Sequence, residues 1–268
     1  MIVCKSPAEL EKMRAANQLV AQVLEELAAM VAPGVTTADL DAAAEARVRA
    51  AGAEPAFKGY RGYPATLCAS VNEQVVHGIP NRTALASGDI VSLDMGVKLN
   101  GYYGDSAVTV PVGTVDENVR KLLRVTREAL DKGIAQVKVG GRISDIGHAI
   151  QAHVEANGFS VVREFVGHGI GASLHEEPQI ANYGEPGRGP RLAEGMTLAI
   201  EPMVNMGKAA VRVLADGWTA VTRDGSLSAH FEHTVAVTTA GPLVLTALGG
   251  PVVAGRNGYW ASRQAVRL

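Results

Sequence analysis

Apolar residues recur every three to four positions over residues 8–30 and again over 117–137, which predicts two long amphipathic helices. A glycine turn and a second helical segment follow each. One starts at Thr36 or Thr37 and ends at Gly52; the other starts at Ser144 and ends at Gly158. Elsewhere the period shortens to two. Residues 90–97 and 102–110 read as strands around Asn100-Gly101, a strong short-range signal for a tight hairpin. The apolar runs at 161–166, 200–204 and 231–235 read as further strands.

These elements repeat. Moving Val31 onto Val137, a shift of 106, also places Gly34 on Gly140, Asp39 on Asp145, Ala43 on Ala149 and Gly52 on Gly158. At a shift of 107, residues 88–94 fall on 195–201, so that Asp94 overlays Glu201. The period is too long for a solenoid. It predicts an α+β fold of pseudo-two-fold, duplicated helix-helix-strand halves, about 1–115 and 116–248, whose strands share one sheet. The expectation is a single domain over 1–248 and a solvated C-terminal tail over 249–268, where Arg256, Arg263 and Arg267 lie near Tyr259 and Trp260.

The hairpin sets where two acids point. If the loop is Asn100-Gly101 alone, Asp94 faces Ala107 and Asp105 lies one diagonal step away; a four-residue loop would place Asp94 opposite Asp105. In both registers the acids share a face, at Cα separations of roughly 5–8 Å. Asp94 sits between Leu93 and Met95, where an unpaired charge is costly. Glu201 in Ile-Glu-Pro-Met and Glu232 in Phe-Glu-His-Thr are likewise embedded in apolar strands, and His168 is exposed by its flanking glycines. Four carboxylates and one imidazole suit two divalent cations, whose charge of about +4 offsets about −4 on the acids. Paired cations are a device for hydrolysing amides and phosphoesters.

Composition narrows the class. A net charge of −2 gives no basic bias, so specific nucleic-acid binding is not expected. Cys4 and Cys68 form no motif, which fits a reducing compartment. No apolar run is long enough to cross a bilayer, and a cytoplasmic protein without membrane contact is expected. The glycine-rich stretch 184–189 lacks a Gly-Lys-Ser/Thr ending and reads as a solvated loop, not a phosphate cradle.

Several ordered motifs carry a family resemblance: Tyr60-Arg61-Gly62-Tyr63-Pro64, His77-Gly78-Ile79-Pro80, the Asp94 to Asp105 spacing, Gly167-His168-Gly169, His175-Glu176-Glu177-Pro178, Ile200-Glu201-Pro202-Met203, Asp216-Gly217-Trp218 and His230-Phe231-Glu232-His233. Over about residues 5–245 the chain resembles the type I methionine aminopeptidases. The resemblance implies the pita-bread fold, with a curved, mainly antiparallel sheet, and removal of N-terminal methionine from nascent polypeptides whose second residue is small. It implies two divalent ions, cobalt, manganese, iron or zinc, with Asp94 on one, His168 and Glu201 on the other, and Asp105 and Glu232 bridging. It makes Glu201 the proton acceptor, His175 a donor to the developing oxyanion and His77 a group near the scissile nitrogen. The methionine pocket would comprise Phe57, Tyr60, Tyr63, Cys68, His77, Leu174, His175 and Trp218. A monomer, with at most transient ribosome contact, is the family expectation.

Arg61 stands where the family commonly has histidine, His230 where it has glutamine, Leu174 where it has phenylalanine, and Phe57 where a small or sulfur-bearing residue is usual. The interval between Glu201 and Glu232 is too short for the helical insertion of type II enzymes. Two alternatives use the same scaffold. A prolidase or aminopeptidase P would bring a large additional N-terminal domain, and a non-catalytic binding protein would have lost metal ligands.

Overall fold

The computed structural model describes residues 1–248; the expected tail at 249–268 lies outside them. Helix α1 spans Pro7–Met30, α2 Thr37–Ala50, α3 Glu117–Ile134 and α4 Ile143–Ala156. Their starts are chemically marked. Ser6 and Glu9 form a reciprocal capping box before α1, with Pro7 at the first helical position, and Thr36 and Asp39 do the same for α2. The fourth helix corrects the expected start at Ser144. It begins one residue earlier, because the Arg142 N–H donates to Asp145 Oδ2 at 2.9 Å, while Ser144 Oγ accepts from the Arg188 N–H.

The strands Leu67–Val71, Ile90–Leu99, Tyr102–Pro111, Gly167–Gly169, Glu176–Ile180, Thr197–Ile200, Glu232–Thr238 and Gly241–Val244 join Glu54–Pro55 in one antiparallel nine-stranded sheet. Its two halves meet where Glu232 pairs with Ala107 and His233 with Ser106. Helices α1 and α2 cover one half of one face, burying Val91, Leu93, Met95 and Val97 beneath Val20, Leu27 and Leu40. On the other half, α3 and α4 cover Leu198, Ile200, Val235 and Val237.

The duplication is visible in hydrogen bonds as well as in element order. Gly34 N–H donates to Leu85 O and Leu85 N–H to Val35 O; in the second half Gly140 N–H donates to Leu192 O and Leu192 N–H to Gly141 O. Gly34 and Gly140 adopt φ of 93° and 86°, a region that favours glycine. The repeated sequence thus encodes a repeated turn that returns each helix pair to the sheet.

The hairpin adopts the two-residue loop. Leu99 pairs with Tyr102 and Asp94 with Ala107, and Asn100 and Gly101 both have positive φ, at 53° and 83°, as a type I′ turn requires. Two expected strands are corrected. Residues 161–166 do not form a strand: Ser160–Val161 pairs with Met203–Asn205, and the chain then leaves the ladder until Gly167. Residues 200–204 are not one strand either. Thr197–Ile200 ends in the large sheet and Met203–Asn205 begins a separate three-stranded one, so Glu201 and Pro202 occupy the break. Pro202 has no N–H to continue a ladder.

Candidate metal centre and pocket

Strand register gathers the acids on the face away from the helices. Side chains alternate along a strand, and directly paired residues share a face. The chain of pairs Asp94 to Ala107 to Glu232 therefore puts both acids on one side, and Asp105, two residues from Ala107, joins them. In the adjoining row, Thr234 pairs with Ala199 and Ala199 with His168, which brings the imidazole to the same face. Glu201 reaches it from the strand break, where Asn182 Nδ2 donates to its carbonyl at 3.1 Å.

Asp105, His168 and Glu232 offer donor atoms that all lie within 4.8 Å of one another. His168 Nε2 is 3.9 Å from Asp105 Oδ2 and 3.6 Å from Glu201 Oε1. Its Nδ1 lies 2.8 Å from the Gly169 carbonyl and must carry the proton to bond there, so a lone pair on Nε2 faces the acids. Asp94 lines the same cavity.

The electrostatics of this cluster are those of acids crowded together away from water. Burial raises Asp94 to about 7, offset in part by His230 and reinforced by Glu201, and burial raises Glu201 to about 8. Asp105 and Glu232 are held well above the usual carboxylate range, by burial first and then by neighbouring acids. Burial lowers His168 to about 4, so it is neutral at physiological pH and able to act as a ligand. Asp105 Oδ1 and Glu232 Oε1 are buried without a hydrogen-bond partner. Such atoms are costly unless something else satisfies them, and no lysine or arginine lines the cavity except Arg61. The donor set thus fits divalent metal.

The acids share one cavity of about 160 Å³ with Phe57, Tyr60, Tyr63, Cys68, His77, Leu174, His175 and Trp218. Its volume matches one side chain more than a drug-sized ligand, whose pockets run to about 300–1,000 Å³. Tyr63 is buried, with its hydroxyl donating to Gly78 O at 2.9 Å and Leu67 O at 3.1 Å, and its ring meets Trp218 edge-on at 5.2 Å. Burial pushes the Cys68 thiol up and disfavours the thiolate, leaving an apolar wall. His77 stands at φ 59°, edge-on to Phe165 at 5.5 Å, and burial lowers it to about 4. His175 stacks on Tyr60 at 5.3 Å, its Nδ1 lying 2.9 Å from the Tyr60 hydroxyl, and burial and then the Arg61 charge lower its pKa.

All thirteen residues singled out from the sequence therefore line one cavity, together with Arg61. His230 is the neighbour that residue pattern alone does not reveal. It is buried, its Nε2 lies 3.6 Å from Glu201 Oε2, and neither ring nitrogen has a hydrogen-bond partner. Its sequence signals were its place two residues before Glu232 and its departure from the family's usual glutamine. What turns it inward is its strand, Ser228–His230, which pairs with Met203–Asn205 beyond the break at Glu201.

The model of metallopeptidase family M24 matches residues 11–239. Methionine aminopeptidase 1 of Bacillus subtilis is 55% identical over 246 residues, covering 92% of this chain and 99% of that protein. The crystal structure of methionine aminopeptidase from Thermotoga maritima superposes with a TM-score of 0.90 at 51% identity, covering 92% of this chain and 99% of that one. The prolidase of Pyrococcus horikoshii shares the fold, with a TM-score of 0.74 at 22% identity, but this chain spans only 64% of its length.

Proposed function

Because the chain belongs to the methionine aminopeptidases of metallopeptidase family M24, we propose that it removes the N-terminal methionine from nascent proteins and peptides whose second residue is small. The observation that carries this reading is the junction of two features in one cavity. Apolar walls that include Tyr63, Cys68 and Trp218 line the same small cavity as Asp94, Asp105, His168, Glu201 and Glu232.

In this reading Asp94, Asp105, His168, Glu201 and Glu232 would hold two divalent cations. Manganese, iron, cobalt and zinc all suit such a mixed carboxylate and imidazole set. When bound, the cations lower the pKa of water towards neutrality and polarise the scissile carbonyl. The chain's own groups do the rest. The apolar recess takes the methionine side chain, whose flexible thioether packs against the Tyr63 and Trp218 rings. Glu201, ionised once metal displaces its proton, would accept a proton and return it to the leaving amine. His175, oriented by the Tyr60 hydroxyl, donates towards the oxygen that becomes negative. His77, neutral and fixed against Phe165, sits beside the leaving nitrogen.

In this reading the enzyme acts in the cytoplasm, and the family expectation is a monomer with at most transient ribosome contact. Among the described residues no helix is long and apolar enough to cross a membrane. The prolidase alternative rests on likeness of fold alone, and the non-catalytic alternative would leave five converging ligand side chains without a purpose. Metal-loaded protein should release methionine from Met-Ala-Ser and leave Xaa-Pro peptides intact; the reverse preference would overturn this reading.

A further inference from the structure

Two of the residues lining the catalytic cavity are exposed, Arg61 and His175; the rest are buried or half-buried. A polypeptide whose first residue fills the recess must leave the cavity on its open side. It therefore passes these two groups, and Arg61 is the one with a permanent charge.

The guanidinium is fixed there. Arg61 adopts φ 49° and ψ 24°, between Gly59 and Gly62 at φ 86° and 89°, so its backbone belongs to a tight left-handed turn and not to a free loop. Its Cζ lies 5.4 Å from the centroid of the Tyr60 ring, and that ring is itself anchored by the Tyr60 hydroxyl against His175 Nδ1 at 2.9 Å. Among the described residues no carboxylate comes within ion-pairing distance of Arg61. Charges close in sequence to the cavity walls are engaged elsewhere: Lys58 pairs with Glu45 at 2.7 Å, and Asp216, two residues before Trp218, accepts from the N–H groups of Trp218 and Thr219 and from the Thr219 hydroxyl.

We infer that Arg61 is a specificity-determining residue, which selects substrates carrying acidic side chains at the third and fourth positions, just beyond the small second residue. This rests on the proposed aminopeptidase function and refines its substrate class. The selection is electrostatic. A carboxylate leaving the cavity meets an unpaired cation held in place by an aromatic ring, and a lysine in the same position meets repulsion. Exposed ion pairs are individually weak and salt-sensitive. Reversing substrate charge spans both attraction and repulsion, so a ratio of about 3- to 10-fold is expected.

The test compares kcat/KM of the metal-loaded full chain on Met-Ala-Asp-Asp, Met-Ala-Ser-Ser and Met-Ala-Lys-Lys amides. The expected order is acidic, neutral, basic, with the acidic-to-basic ratio shrinking at high salt. Arg61→Gln should bring that ratio towards one and Arg61→Glu should invert it, whatever either does to absolute rates, while Arg61→Lys should preserve it. A wild-type ratio at or below one, or the same ratio in Arg61→Glu, overturns the inference while leaving the aminopeptidase function intact. Release of methionine from none of the three peptides overturns that function, and the inference with it.

Discussion

Gly104 lies so close to Ala16 that a Cβ added to it would sit 2.7 Å from the Ala16 carbonyl carbon and 2.7 Å from the next amide nitrogen. This contact lets α1 lie directly on the hairpin strand that carries Asp105. The neighbouring Asp105 N–H then donates to Asn17 Oδ1 at 3.3 Å, and the Asp105 carbonyl accepts from Thr234 Oγ1 at 2.8 Å. Asp105 is thus positioned through its backbone from both sides. Gly104→Ala should force helix and strand apart, destabilise the fold by about 1–3 kcal/mol and lower turnover. Chemical denaturation gives the first and peptide kinetics the second. A variant as stable as the parent would mean that the close approach is not a constraint.

Asp105→Asn separates stability from function. Asp105 is buried among like charges, with Oδ1 unpartnered, so an uncharged amide should leave the metal-free protein as stable as the parent or more stable. Loss of a shared anionic ligand should nevertheless reduce methionine release by about two orders of magnitude or more, a loss like that of other groups acting on the reacting atoms. Thermal melts of metal-free protein, set beside steady-state kinetics, check both signs. Near-normal turnover would show that Asp105 does not share the metals.

The same hairpin shows what sequence pattern can carry. Alternation over 90–97 and 102–110 put Asp94 and Asp105 on one face whichever loop formed, and Asn100-Gly101 supplied the φ > 0 pair that the shorter loop needs. The helix pairs and glycine turns were legible for the same reason, since they depend on local residues that occur twice. Glu201 was singled out but placed in a continuous strand, whereas it lies in the break between two. Pro202 carried the contrary signal, because a residue without an N–H ends a ladder. Residues 161–166 have the apolar composition of a strand, yet beyond Val161 they are used to pack Phe165 against His77, a contact between distant segments that no local period reports. His230 stood out from the sequence only as a departure from the family's glutamine, because its neighbours come from the strand beyond the break.

The carboxylates also predict how metal binding depends on pH. Asp94, near 7, and Glu201, near 8, bind protons more tightly in the folded protein than in the unfolded chain, where 3.8 and 4.5 apply. Their contribution to stability is therefore full below about pH 4 and is lost as pH rises through 7 for Asp94 and 8 for Glu201. Metal must displace those protons, so apparent affinity should climb from pH 5 to 8. His168, lowered to about 4, is already neutral over that range and releases none. Calorimetry in two buffers of different ionisation heat should find more protons released per metal at pH 6 than at pH 9. Metal-free Asp94→Asn should lose less stability than the parent between pH 5 and 8. Equal proton release at both pH values would show that the acids are already ionised without metal.

One ion pair joins the N-terminal segment to the loop that bears His175. Lys5 Nζ lies 2.5 Å from Glu176 Oε2, with side-chain exposures of only 3% and 14%, and Glu176 Oε1 accepts from the Ser173 N–H at 3.1 Å. Gly171 makes room for it: a Cβ there would fall 2.3 Å from Lys5 Cε. Leu174 and His175 are therefore held between a buried charge pair and the Tyr60 hydroxyl. Removing one partner of a buried pair leaves the other charge uncompensated and costs about 3–5 kcal/mol. Lys5→Met should show that loss on denaturation. It should also lower kcat more than it raises KM, because it loosens the donor more than the recess that binds methionine. Adding Glu176→Gln should restore much of the stability, since no buried charge is then left alone, but not the turnover, since the loop remains untethered. If Lys5→Met melts with the parent, or if the double variant is no more stable than the single one, the pair does not hold the loop.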